Sequence, residues 1–220
     1  MSNSARERVL AKLRAALLQG GGDIPATDTM PVPALNRQER IERLQTLLET
    51  MHAEVYVVNA GDWLNKLKEV LSKRSLNGLL YGPGTRLGEV LEQAWESGLP
   101  PLLPYSEEVE QCKETLFAID AGITSTQGGI AETGALILWP DAREPRLISL
   151  VPAVHIAVLT ADKIYNTFAE AIASEHWQDG MPTNALLISG PSKTADIELI
   201  LTFGVHGPKE LLVFILDGGA

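Results

Sequence analysis

The sequence predicts an α/β protein on a mixed, mostly parallel sheet, preceded by a helical arm. Three observations carry this reading. Short apolar runs of strand length alternate with helix-length segments through the first half, as βαβ units require. Two later apolar runs, residues 117–124 and 135–139, flank a polar stretch and read as a hairpin, which mixes the sheet. A chain of 220 residues, 45% hydrophobic and 21% charged, is also long enough to bury about 70% of its unfolded surface without a disulfide or metal.

In order, Ser4 and Glu7 form a capping-box pattern ahead of an apolar stripe, Val9, Leu10, Leu13, Leu17 and Leu18, that stops at Gly20-Gly21-Gly22. Residues 1–35 read as this arm and a linker, either a frayed terminus or an arm that docks on a partner subunit; residues 36–220 read as one α/β domain. Asn36 with Glu39 caps a second helix that turns Ile41, Leu44, Leu48 and Met51 inward. A strand follows at 54–59, then a helix through Trp63, Leu64, Leu67, Val70 and Leu71. Another strand is predicted at 76–81, and Gly82-Pro83-Gly84-Thr85 turns into a helix ending near Gly98. Residues 100–104 read as a short strand or extended link and 106–115 as a poorly defined helix. Beyond the hairpin, further apolar runs at 147–150 and 154–159 are broken by Pro152, and a helix is placed over 162–174. Buried strands at 186–189 and 211–216 then bracket a polar, Gly-rich segment.

Composition excludes several function classes. A formal charge of −10 opposes nucleic-acid binding, which needs a basic stripe. No apolar run approaches the length of a membrane-spanning helix. Arg6, Arg8, Lys12 and Arg14 interrupt the first apolar segment, unlike a signal peptide. Cys112 is the single cysteine, so no internal disulfide forms and no cysteine-ligated iron–sulfur cluster is held by this chain alone. A reducing, cytoplasmic setting is the expectation.

Gly82-Pro83-Gly84 and Gly88 follow a strand and open a helix, but the spacing departs from G-x-G-x-x-G and Pro83 lacks an N–H. A tight strand-to-helix turn explains them better than a phosphate loop. In the 125–134 stretch, Gly128, Gly129 and Gly134 are placed to gather backbone N–H groups into a nest for a carboxylate or phosphate. Thr124, Ser125, Thr126 and Thr133 add hydroxyls there, and Glu132 is a candidate acid, base or nucleophile. The plain alternative is a hairpin turn with Glu132 solvated. Around Gly190, Ser192 or Thr194 is expected to cap a helix, with Lys193 adding a positive charge beside a bound anion or standing in solvent. Asp196 and Glu198 share a face if extended, yet no HxH or HxxxH spacing joins them to His155 and His206 as metal ligands, so no metal is expected. His206, between Gly204 and Gly207, reads as a turn-locking donor or a ligand contact.

Three stretches resemble the lactate-utilisation (LUD) domain family: GIAETGALIL (129–138), PAVHIAVL (152–159) and ISGPSKTADIELILTFGVHGPKELLVFIL (188–216). The resemblance spans residues 124–216, with weaker likeness before that. It implies a three-layer α/β/α fold of Rossmann-like topology, akin to sugar-phosphate isomerases and CoA transferases. It also implies a part in oxidising L-lactate to pyruvate within a three-protein system, with the iron–sulfur clusters in a partner subunit. On this reading the chain binds no cofactor itself. Its site is one cleft made by residues 125–134 and 190–209, holding a small carboxylate or phosphate-bearing ligand that Glu132, Asp196 and His206 orient. Two other classes remain open: a free-standing CoA-ester or sugar-phosphate enzyme using Glu132, and a structural subunit whose polar cleft docks a partner. Glu132-Thr133-Gly134 is similar to the Glu-x-Gly turn of CoA transferases, although Thr133 stands where an Asn is expected.

Overall fold

A computed structural model describes residues 3–19, 33–105, 116–195, 201–204 and 206–218. The chain divides into two units, Met1–Pro33 and Ala34–Ala220. The first contains helix α1 (Asn3–Gln19), with Val9, Leu10 and Leu13 exposed. The helix expected over 106–115, together with Cys112, lies outside the described residues.

In the second unit, helix α2 (Arg37–Thr50) starts where the capping box predicts. Asn36 Oδ1 accepts from the Glu39 N–H at 3.1 Å, and the Asn36 N–H donates to Glu39 Oε2 at 2.7 Å. Ile41, Leu44 and Leu48 face inward. Met51 does not: it caps the helix C-terminus and is 41% exposed. Strand β1 (Glu54–Asn59) leads to α3 (Trp63–Ser72), β2 (Leu79–Tyr81), α4 (Arg86–Ala94) and β3 (Leu102–Pro104). Strand β2 is shorter than expected because Asn77 is engaged elsewhere, its N–H donating to Asp120 Oδ2 at 2.9 Å. Strands β4 (Ala121–Ser125), β5 (Gly128–Ile130), β6 (Ala135–Leu138) and β7 (Val154–Thr160) follow, with a short helix α5 (Leu147–Leu150) before β7. The apolar run at 147–150 is helical: Pro145 and Pro152 bracket it, and the Ile148 N–H donates to the Pro145 carbonyl at 3.0 Å, closing a helical turn. The helix expected over 162–174 is split into strand β8 (Ile164–Tyr165) and helix α6 (Phe168–Ser174), capped by Thr167. Strands β9 (Leu186–Ile188), β10 (Lys193–Ala195), β11 (Leu201–Phe203) and β12 (Glu210–Asp217) complete the described elements.

The main sheet has six parallel strands in the order β1-β12-β7-β4-β2-β3. The hairpin expected between 117–124 and 135–139 does not form: β4 lies in the main sheet, parallel to β7, while β6 pairs antiparallel with β5 in a separate four-stranded sheet, β8-β5-β6-β9, because the Gly128–Ile130 run supplies the nearer partner. Strand alternation divides the core in two. Leu211, Val213 and Ile215 of β12 pack with Ile41, Leu44 and Leu48 of α2 and with Leu136 and Ile164 of the second sheet. Leu212 and Phe214 pack on the other face with Trp63, Leu67 and Leu71 of α3 and Leu91 of α4. The parallel strands are therefore covered on both sides, as such sheets require. Leu187 of β9, expected in a buried strand, is 50% exposed because β9 forms the outer edge of the second sheet.

Candidate functional site

Strands β2 and β4 are neighbours, but the chain leaves them in opposite directions: β2 runs through α4 outward to β3, and β4 runs through the second sheet to β7. Such a reversal opens a crevice beyond the carboxyl ends of the two strands, the usual ligand position in parallel α/β sheets. On one side lie Gly82, Pro83 and Gly84, with Thr85 capping α4 through its Oγ1, which accepts from the Gly88 N–H at 3.0 Å. On the other lies Ser125, the last residue of β4. The segment 140–146 is folded into this crevice. A Cβ at Gly82 would stand 2.5 Å from the Arg143 carbonyl oxygen, so only glycine allows this approach. Arg143 Nη1 donates to the Gly84 carbonyl at 3.4 Å.

The key contact is made by Glu144. Its Oε2 accepts from the Ser125 N–H at 3.0 Å and from the Ser125 hydroxyl. Oε1 is out of solvent and has no hydrogen-bond partner among the described residues. Desolvation pushes the Glu144 carboxyl up from its usual range and Asp141 adds to the rise, while the Ser125 bonds and Arg143 oppose it. Asp141 Oδ1 holds the turn by accepting from the N–H groups of Arg143 and Glu144, each at 2.8 Å. The space left between Ser125, Trp139, Glu144, Arg146 and Ser149 is about 10 Å³, enough for about one water. Below it, Thr124 Oγ1 and His155 Nε2 are 2.8 Å apart in the core. Desolvation alone holds the fully buried His155 imidazole down to about 3.

The sequence-nominated residues fall elsewhere. Gly128 and Gly129 are ladder residues of β5, and a Cβ on either would meet its neighbours at 2.7 to 2.8 Å, the Lys163 carbonyl for Gly128 and Leu44 for Gly129. Their N–H groups serve the sheet, so the expected nest does not form. Thr126 is turned to Val158, whose carbonyl accepts from its N–H at 3.0 Å and its hydroxyl at 3.1 Å. Glu132 and Thr133 are exposed in the tight β5–β6 turn, where Gly134 adopts φ 68° against Leu47. Gly190 packs on Met51, one turn along α2 from Leu47, so the two predicted segments do meet one helix end. That end lies at the amino edge of the main sheet, since residues 206–209 lead into the start of β12 alongside Ala153. It is not the carboxyl edge that the sequence reading assumed.

Ser192 caps no helix. Its N–H donates to the Pro208 carbonyl at 2.8 Å, its carbonyl accepts from Gly204 at 3.0 Å, and its hydroxyl accepts from the His206 N–H at 3.3 Å. Lys193 and Thr194 lie in β10, paired with Phe203 and Thr202. His206 is exposed and Asp196 lies outside the described residues. Among the described residues no group of three or more His, Cys, Asp or Glu is arranged to hold a metal ion, and no helix is long and apolar enough to cross a membrane. Sequence reasoning missed Glu144 and Gly82 as partners; the available signal was the Pro140–Asp141 turn start following a strand.

The fold is that of an α/β protein whose parallel sheet reverses direction between β2 and β4. The chain belongs to the LUD domain family, which it matches over residues 41–216. It is 36% identical over 219 residues to an uncharacterized protein of Neisseria meningitidis serogroup B, covering 97% of this chain and 94% of that one. A protein named lactate utilization protein C from Bacillus subtilis is 25% identical, over 96% of this chain and 94% of its own length. One of the same name from Macrococcus caseolyticus is 37% identical over 44% of each chain. The crystal structure of a DUF162 family protein from Deinococcus radiodurans superposes with a TM-score of 0.62 at 22% identity, covering 84% of this chain and 100% of that one. It has the same fold.

Proposed function

We propose that this chain is the non-iron–sulfur component of a three-protein system that oxidises L-lactate to pyruvate in the cytoplasm, and that it binds a small carboxylate at the carboxyl end of β4. The lactate role is supported by relatives named lactate utilization protein C. A single cysteine supports the assignment of the iron–sulfur chemistry to partner subunits. The observation that carries the ligand class is Ser125: its N–H and hydroxyl already converge on a carboxylate oxygen at the sheet reversal, the geometry by which charge-assisted donors hold such groups. The C-terminal end of α2, beside which Gly134 and Gly190 lie, carries partial negative charge and disfavours an anion. That edge, with Met51 exposed, suits partner docking better.

Deleting the gene is expected to abolish growth on L-lactate as sole carbon source while leaving growth on pyruvate intact, with rescue by the full chain. Rescue should fail for S125A, while K193A/H206A should retain ligand binding and lose capture of the iron–sulfur subunits. Undiminished growth of the deletion strain on L-lactate would remove the proposal.

A further inference from the structure

We propose that Glu144 is a built-in competitor: its side chain occupies the carboxylate position at Ser125, and a short-chain carboxylate ligand binds by displacing it together with the 141–144 turn. This rests on the carboxylate-binding reading above and names how that site is controlled. Four features point to it. First, the crevice at the reversal between β2 and β4 is filled by the chain itself, through Arg143 against Gly82 and Glu144 against Ser125. Second, the Glu144 carboxylate is poorly served where it sits: Oε2 has two donors from Ser125, and Oε1 is buried with none. Among the described residues the carboxylate is held at this position by Ser125 alone, so an incoming carboxylate has a single pair of donors to win. Third, the space left over is about 10 Å³, so a ligand carboxylate and Glu144 cannot share Ser125. Fourth, the segment is able to leave without unravelling the core. Asp141, Ala142 and Arg143 are exposed, the turn is held by its own Asp141 bonds, and Pro140 and Pro145 bound it as stiff pivots.

The exchange involves no bond making or breaking. The ligand takes over the Ser125 N–H and hydroxyl donors, Glu144 returns to water where its desolvation is relieved, and Arg146 at the crevice wall offers the incoming anion a positive neighbour. Wild-type affinity is therefore reduced by the fraction of time the seat is self-occupied.

The test is titration of wild type, E144A, E144Q and S125A with pyruvate, L-lactate and acetate, by calorimetry and by the fluorescence of Trp139, which lines the crevice. E144A is expected to bind at least one of the three tenfold or more tightly than wild type, and E144A/S125A to lose that gain. E144Q keeps the shape of the plug without its charge and is expected to fall between wild type and E144A. It also serves if E144A fails to fold. Equal affinity of wild type and E144Q, with binding lost in S125A, overturns the competitor and leaves the carboxylate site standing. Folded E144Q and wild type that both bind none of the three overturn the site as well.

Discussion

His155 is the residue whose chemistry depends most on its surroundings. It is 1% exposed, with Nε2 bonded to the Thr124 hydroxyl and Nδ1 without a partner. Burial lowers its pKa from 6.5 to about 3, because an imidazolium there would lose its water and gain no counter-charge. The unfolded chain therefore takes up a proton near 6.5 that the folded chain refuses. Its contribution is fully present above 6.5 and declines as pH falls toward 3, by up to about 1.4 kcal/mol per pH unit. Urea unfolding of wild type and H155L at pH 7.5, 6 and 5 checks this. H155L is expected to be less stable at pH 7.5 by about 1–3 kcal/mol, through the orphaned Thr124 hydroxyl, with the gap narrowing at pH 5. A constant gap would contradict it.

At the scale of elements, α2 is the piece most completely determined by local sequence. Its capping box and its Ile41, Leu44 and Leu48 stripe both form as their spacing predicts. N36A should cost about 1 kcal/mol, and L48A about 2–5 kcal/mol because Leu48 is fully buried. The β5–β6 turn behaves differently. Gly134 has φ 68° and faces Leu47 so closely that a Cβ would sit 2.5 Å from the Leu47 Cβ. G134A combines left-handed strain with a clash against α2 and is expected to destabilise by more than the roughly 1 kcal/mol of a simple glycine replacement. Chemical denaturation would read both, and a G134A protein as stable as wild type would mean that the turn can move off α2. Strand β5 itself was not legible. Gly128-Gly129-Ile130 has low strand propensity and is extended only because β6 and β8 offer partners on both sides.

For the whole molecule, an all-parallel six-stranded sheet with a mixed four-stranded sheet on one face places the reversal, and with it the candidate site, between β2 and β4. A ligand that binds only the folded chain stabilises it by mass action, about 2.7 kcal/mol at a hundredfold excess over Kd. For a domain of this size that corresponds to a rise of roughly 5–10 °C in Tm. Thermal scans of E144A with pyruvate or L-lactate at such an excess should show this rise, with a smaller one in wild type at the same concentration. No shift in either would remove the carboxylate site.

The alternation of apolar runs and helices, the cap at Asn36 and the turn into α4 at Thr85, and the burial of β12 follow from local pattern, since each is set by residues within a few positions of one another. Family membership likewise follows from linear motifs. Strand order, the placing of β4 and β6 in different sheets, and the pairing of Ser125 with Glu144 were decided only by tertiary structure. They bring together residues from segments whose individual preferences do not encode which neighbour they meet. The glycines at 128 and 129 illustrate the limit: the same permissiveness that suits an anion nest also suits close sheet packing, and Leu44, Leu159 and Tyr165 settle which is built.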